Sequence, residues 1–161
     1  MEIKVVGTQH QLFLEGPISE KTAIYEYELK GATELLINME KVTFINSIGV
    51  KNWITWSMKI PSICKIRLEM CPFVIVNQVN IVQGFLPRQG SIESFIAPYM
   101  CETCGVEKTT VLKRGEHFQY ASSEGPKFLN LPEDIFCPKC KMNMEPDFLI
   151  ERVFAFLTPK V

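Results

Sequence analysis

The chain has 161 residues, with 17 Lys/Arg against 18 Asp/Glu, a formal net charge of -1, 47% hydrophobic residues and 22% charged residues. This length and balance allow a packed core, exclude a disordered polyelectrolyte, and leave generic binding to a polyanion without an electrostatic footprint. Charge is also even along the chain, since residues 1–98 carry nine Lys/Arg and nine Asp/Glu and residues 99–161 carry eight and nine.

Residues 1–6 alternate polar and apolar side chains and no long apolar run follows. That pattern argues against a secretory leader or a membrane span, and it predicts a cytoplasmic protein with reduced thiols. Residues 3–6 and 12–14 are short β-prone runs around a polar stretch and predict a hairpin, with Gly16-Pro17 ending its second strand. Ser19 is placed to cap a helix through Ala23, Ile24, Tyr27 and Leu29 that Gly31 would stop. Residues 35–39 form a compact apolar strand, and a helix then runs from near Ser47 to Ile60, where Pro61 ends it. At about 100° per residue, Val50, Trp53, Ile54, Ser57, Met58 and Ile60 share one broad face of that helix. Trp56 falls at the edge of the arc, as much a half-exposed contact as a core residue.

Residues 65–71 alternate and predict a strand. Residues 73–85 predict a short helix with Pro72 at its first turn, against a β-branched run at 74–82 that would also suit a strand. Residues 92–100 predict a further strand that feeds into Cys101. Cys64 and Cys71 have no metal-ligand spacing and are expected to pack as small apolar side chains.

The strongest chemical signal lies beyond residue 98. Cys101-Glu-Thr-Cys104 and Cys137-Pro-Lys-Cys140 are two Cys-x2-Cys steps separated by 32 residues. Each step lets two sulfurs reach one ion from a tight turn, and two steps complete a tetrahedral tetrathiolate shell. The competing readings are a disulfide pair, unligated core thiols and a redox dithiol. A redox centre needs only one such pair, and disulfides are rare in a reducing compartment. Zinc is the default ion because it favours a closed thiolate site, and iron is the alternative. With all four positions filled by cysteine, no site is left for water or substrate, so the metal is structural. Lys139 and Lys141 lie close enough in sequence to offset part of the cage's negative charge. Gly105 after the first pair, and residues 131–140 around the second, resemble the knuckles of rubredoxins and zinc ribbons. Lys141 and Val106 depart from that resemblance, because rubredoxins carry a glycine and an aromatic residue there.

Between the pairs, residues 106–120 predict a hairpin with 121–126 as its exposed loop. Residues 147–157 are too apolar for a loose tail, and of strand or docked helix the strand is favoured. His117 could replace a cysteine ligand, but with four cysteines available it is read as a surface residue of the hairpin.

The element order strand, strand, helix, strand, helix, strand, helix, strand resembles that of STAS domains, the family containing bacterial anti-sigma-factor antagonists. The specific likeness is in residues 36–50, LINMEKVTFINSIGV, where a hydrophobic strand and loop lead into Asn46-Ser47-Ile48-Gly49. The family has Asp-Ser-Ser-Gly or a close variant there, so Asn46 replaces the aspartate and Ile48 the second serine, while Ser47 and Gly49 match. The resemblance implies an α/β fold, with a STAS-like mixed sheet and helices over residues 1–98 and a small zinc-ribbon β module over 99–161. It also implies a non-enzymatic regulatory role with a protein partner, an anti-sigma-factor-like serine kinase, whose phosphorylation of Ser47 would switch binding off. A phosphate there would meet free backbone N–H groups and the helix dipole, while its charge would disrupt an apolar contact. The plain alternative is that Ser47 only caps the helix, for about 1 kcal/mol.

The contact surface expected from this segment comprises Phe44, Ile45, Asn46, Ser47, Ile48, Gly49, Lys51 and Trp56. Two other classes compete. One is a nucleic-acid regulator using the ribbon through Lys108, Lys113 and Arg114, and the other is an electron-transfer protein with iron in the four-cysteine cage. No glycine-rich phosphate loop and no Ser/His/acid grouping points to an enzyme.

Overall fold

The computed structural model describes residues 1–123 and 125–158. Among these, the chain is mixed α/β. Five strands, β1 (Glu2–Val6), β2 (Gln9–Ile18), β3 (Glu34–Ile45), β4 (Lys65–Glu69) and β5 (Gly90–Ile92), form a mixed sheet in sequence order. β1 and β2 are an antiparallel hairpin and the other neighbours are parallel. Two of the three parallel pairs are joined by helical crossovers, β3 to β4 by α1 (Ser47–Ser57) and β4 to β5 by α2 (Phe73–Ile81), while β2 reaches β3 through residues 19–33 without an α-helix. Leu35, Ile37, Met39, Ile66 and Leu68 are buried, whereas Leu36, Asn38 and Arg67 between them are only half-buried. The helices therefore cover one face, and the period-2 alternation of β3 and β4 marks which residues meet them.

Several expectations are corrected. β2 runs on through Gly16-Pro17 to Ile18, because two register shifts, between Phe13 and Glu15 and between Gly16 and Ile18, absorb the awkward residues. Gly16 takes φ 75°, and the second shift drops Pro17 from the ladder it cannot donate to. The helix expected after Ser19 is a single 3-10 turn, Ala23–Glu26, and the chain is extended again at Tyr27. Tertiary bonds override the helical pattern there: the Tyr25 hydroxyl donates to the Gly49 carbonyl at 3.1 Å, and the Tyr27 hydroxyl lies 2.7 Å from His10 Nδ1. β3 extends through residues 40–45, where the family resemblance implies a loop.

The buried face of α1 is Gly49, Trp53, Trp56 and Ser57, rotated from the expected arc, and Met58 is 77% exposed. Both indoles turn inward to donate to backbone carbonyls, Trp53 to Phe85 at 2.9 Å and Trp56 to Tyr27 at 3.4 Å. α2 forms despite its β-branched run because Pro72 opens it and Ile75, Val76 and Val79 recur on one buried face. Cys64 and Cys71 are fully buried free thiols among apolar neighbours, as expected.

The single strand expected at 92–100 is two. β5 ends at Ile92, and β6 (Ser94–Met100) leaves the first sheet at Glu93 to become the centre of a second. Near that corner the Glu93 amide bonds Leu68 O, the Cys71 amide bonds Ser94 O, and the Ile96 amide bonds Cys71 O. The second sheet pairs β6 with β7 (Glu107–Lys113) on one side and β10 (Glu145–Pro146) on the other, both antiparallel. β8 (Phe118–Gln119) pairs not with β7 but with β9 (Phe128–Leu129), so the expected 106–120 hairpin is replaced by two others.

Residues 147–157 are helical rather than a strand, forming α3 (Ile150–Val153) and the 3-10 turn Phe154–Leu157. Phe154 and Phe156 pack edge-on or steeply tilted against Phe95 and Phe118, and Asn80 Nδ2 of α2 donates to Val153 O at 2.8 Å. A strand would have put Val153 and Leu157 on the face opposite Phe154 and Phe156; the short helix and its 3-10 turn bring all four inward. β6 spans the expected division at 98/99, and buried side chains from both sides of it form one core.

Candidate functional site

The four cysteines of the two Cys-x2-Cys steps meet in space. Cys101 to Val106 is the connection between β6 and β7, closed by Cys101 N to Val106 O at 2.9 Å and Gly105 N to Cys101 O at 2.8 Å. The second step repeats the same turn, with Cys137 N to Met142 O at 2.8 Å and Lys141 N to Cys137 O at 3.0 Å. Pairing of β10 with β6, Glu145 opposite Met100, then draws the second turn beside the first. The residue after each second cysteine is left-handed, Gly105 at φ 64° and Lys141 at φ 64°. Glycine takes this conformation freely, but at Lys141 a side chain is strained by about 1 kcal/mol. The Lys141 ammonium bonds the Pro138 carbonyl at 3.1 Å, within its own turn.

Neighbouring sulfurs stand 3.4 Å (Cys101 and Cys140), 3.5 Å (Cys101 and Cys104), 3.4 Å (Cys104 and Cys137) and 3.8 Å (Cys104 and Cys140) apart. A disulfide needs about 2.05 Å, so all are free thiols. A tetrahedral ion at about 2.3 Å from each sulfur spaces its ligands about 3.8 Å apart, so the four fit one ion with little adjustment. All four Sγ lie within 4.8 Å of one another. Cys101 and Cys137 are buried and the other two half-buried.

Backbone amides aim at the same sulfurs. The Cys104 amide chiefly, with the thiols of Cys140 and Cys104 and the Thr103 amide, holds the Cys101 pKa below the ordinary thiol value against burial. Cys137 is held at about 6, first by the Cys140 amide and then, against burial, by that of Lys139. Cys104 is pushed up to about 12, chiefly by its bond to Cys137, although the Val106 amide favours its thiolate. At Cys140 the Met142 amide lowers the pKa, but the Cys101 thiol and burial outweigh it. Each turn thus points N–H groups at both of its sulfurs, which stabilises thiolates and orients them for a cation. These amides were not readable from spacing alone. His117 stands apart from the cage, its Nδ1 accepting the Lys113 amide at 3.0 Å.

The other expected site lies where β3 enters α1. Asn46, not Ser47, caps the helix: its Oδ1 accepts the Gly49 amide at 2.7 Å, and Ser47 is the first helical residue. Phe44, Ser47, Ile48 and Lys51 are exposed, with Phe44 at 50% and Ile48 at 52%. Ile45 and Asn46 are half-buried. Trp56 and Gly49 are buried and drop out of the expected contact surface. Gly49 is required by closeness, because a Cβ there would overlap the Ile18 carbonyl oxygen and stand 2.7 Å from its carbon. Glu20 sits beside this cap, its carboxyl held low first by its own backbone amide and then by the Asn46 side chain.

Two of the three basic residues expected to meet nucleic acid are ion-paired within the chain. Lys113 pairs with Glu116 at 3.8 Å, and Arg114 pairs with Glu93 at 2.9 Å and lies over the Tyr120 ring. A polar cleft of about 350 Å³ opens beside Arg114, where Arg67 bonds Glu34 and lies 3.9 Å from Glu93, and Lys65 also lines it. Among the described residues no helix is long and apolar enough to cross a membrane. Compared with known proteins, the chain matches no family model, no curated protein and no solved structure.

Proposed function

We propose that the chain is a non-enzymatic, STAS-like regulatory module that binds a protein partner through the start of α1, with the four cysteines holding a structural zinc ion in a ribbon-like second unit. The observation that carries this reading is the presentation of Phe44, Ser47, Ile48 and Lys51 at one rigid corner. Two apolar side chains and a hydroxyl are held outward there by the Asn46 cap and by the Gly49 contact with Ile18. Large exposed apolar side chains beside a fixed helix start suit recognition of a macromolecule better than solvation.

The expected family aspartate is Asn46 here, and the nearby Glu20 supplies a carboxylate beside the same cap. A phosphate on Ser47 would meet the free amides of the first turn but also the Glu20 charge and two apolar neighbours, so it would weaken the contact. The closed four-thiolate shell would hold zinc or iron, and zinc is favoured because Lys141 and Val106 depart from the rubredoxin pattern.

Native protein from the source cell, analysed by mass spectrometry for phosphate on Ser47 and by metal analysis, tests both halves. One zinc per chain and a partner lost on Ser47→Asp and Ile48→Asp are expected. A partner retained by both variants removes the corner from the reading. A red protein carrying iron replaces the zinc assignment with electron transfer.

A further inference from the structure

We propose that the free edge of β1 is a self-association site, through which two copies of this chain join their five-stranded sheets by antiparallel β1-to-β1 pairing centred on Ile3. The inference does not depend on the reading of the α1 corner. β1 is the outermost strand of its sheet, and every one of its residues is exposed. It is also unusually apolar for an edge, with Ile3 at 42%, Val5 at 55% and Val6 at 70% exposure, and Met1 just before it at 37%. An edge of this kind, with no element among the described residues paired to it, is a template for a further strand.

The direction of its free backbone groups follows from the hairpin. β1 and β2 are joined by the two-residue turn Gly7-Thr8, with Gly7 at φ 61° and Val6 opposite Gln9. A two-residue turn makes its flanking residues a hydrogen-bonded pair, and such pairs alternate along an antiparallel ladder. Val6, Lys4 and Glu2 therefore direct their N–H and C=O groups to Gln9, Gln11 and Phe13, the residues opposite them. Ile3 and Val5 direct theirs outward, to the empty edge. A second strand can bond only these.

Charge then selects both the partner and the register. The two-fold pairing that sets Ile3 against Ile3 of the second copy places Glu2 opposite the second copy's Lys4, and Lys4 opposite its Glu2. Met1 then faces Val5, so apolar residues meet on one face and opposite charges on the other. The neighbouring registers allowed by the outward groups fail. A shift one way opposes Glu2 to Glu2, and a shift the other way opposes Lys4 to Lys4. Opposite charges directly across a ladder stabilise it and like charges weaken it. Lys4, which alone would guard an edge, is answered by Glu2 of the copy beside it. The Glu2 and Lys4 side chains already lie on one face, 3.3 Å apart within one strand.

A contact limited to one short strand is far smaller than a standard interface, so the dimer is weak, with a dissociation constant on the order of 0.1–1 mM. The test is sedimentation equilibrium of the full chain from about 10 μM to about 1 mM, with hydrogen exchange followed at each concentration. Either single reversal, Glu2→Lys or Lys4→Glu, opposes like charges twice in the dimer and should weaken it about tenfold. The double reversal E2K/K4E should restore it, and Ile3→Lys should abolish it. All these side chains are exposed in the monomer, so unchanged Trp53 and Trp56 fluorescence checks the fold. The amides of Ile3 and Val5 should become protected as concentration rises, whereas that of Lys4 is protected throughout. The proposal is overturned by a wild-type chain that stays monomeric, by a double reversal as weak as the singles, or by dimers that leave the Ile3 and Val5 amides exchanging freely.

Discussion

Replacing Gly49 by alanine tests the seam that fixes the start of α1. On helix propensity alone the change should stabilise, because glycine within a helix is about 1 kcal/mol worse than alanine. The structure predicts the opposite. The added methyl would stand 2.7 Å from the Ile18 carbonyl carbon and 3.1 Å from the Ser19 amide nitrogen, in addition to overlapping the Ile18 oxygen. These are backbone atoms, held by the β2 pairing of Ile18 with Ile45 and by the Asn46 amide at 3.2 Å from Ile18 O. They cannot yield cheaply, so the helix must back away by roughly 1 Å, as overpacked sites do at a cost of about 1–3 kcal/mol. That displacement also weakens the Asn46-to-Ile18 bond and the Tyr25 hydroxyl bond to Gly49 O, at about 1 kcal/mol each. Subtracting the propensity gain leaves a loss of about 2–4 kcal/mol. Urea unfolding of the metal-loaded chain, followed by the fluorescence of buried Trp53 and Trp56, measures it, with exposed Lys51→Ala as the control. A Gly49→Ala protein as stable as wild type, or more so, would refute the close-approach argument.

Tyr99 is 1% exposed and its hydroxyl has no hydrogen-bond partner among the described residues, so Tyr99→Phe should be neutral or stabilise by up to about 1 kcal/mol in the same unfolding assay. Chelation, or Cys137→Ser, should release the ion and speed amide exchange at residues 101–106 and 137–142; exchange unchanged by metal removal would show that the turns hold without it. Glu34 is held below its ordinary pKa of 4.5, first by the Arg67 hydrogen bond. A depressed carboxylate stabilises above its unfolded pKa, and that contribution is lost as pH falls through the folded value. Arg67→Met should therefore cost about 1 kcal/mol or less at neutral pH, discounted for the solvent exposure of the pair, and nothing well below pH 4.5. A gap between the two urea midpoints that stays constant with pH would contradict this.

The cysteine cage was legible because each knuckle is local, so that spacing alone places two sulfurs on one tight turn. The same holds for β3, β4 and α2, whose period or opening proline is written within a few residues. What spacing could not show was long-range. Asn46 rather than Ser47 caps α1 because the strand runs to Ile45, well past the apolar stretch that announced it. The helix expected near residues 19–31 gave way to hydroxyl bonds from Tyr25 and Tyr27 to residues distant in sequence. Trp56 turned inward to reach the Tyr27 carbonyl, a partner that no helical wheel contains. The C-terminal aromatics favour a strand on local pattern, and what makes them helical is contact with Phe95 and Phe118, distant in sequence.

The departure of β6 from the first sheet at Glu93 has a mechanical side. One uninterrupted run of backbone leads from β5, at the far edge of the first sheet, to Cys101 in the cage, and it is pinned midway by the bonds between residues 71 and 94–96. Because residues 94–96 are hydrogen-bonded to Cys71, the run is moored before it reaches the cage, and a disturbance at the four sulfurs meets that mooring before it can reach the first sheet.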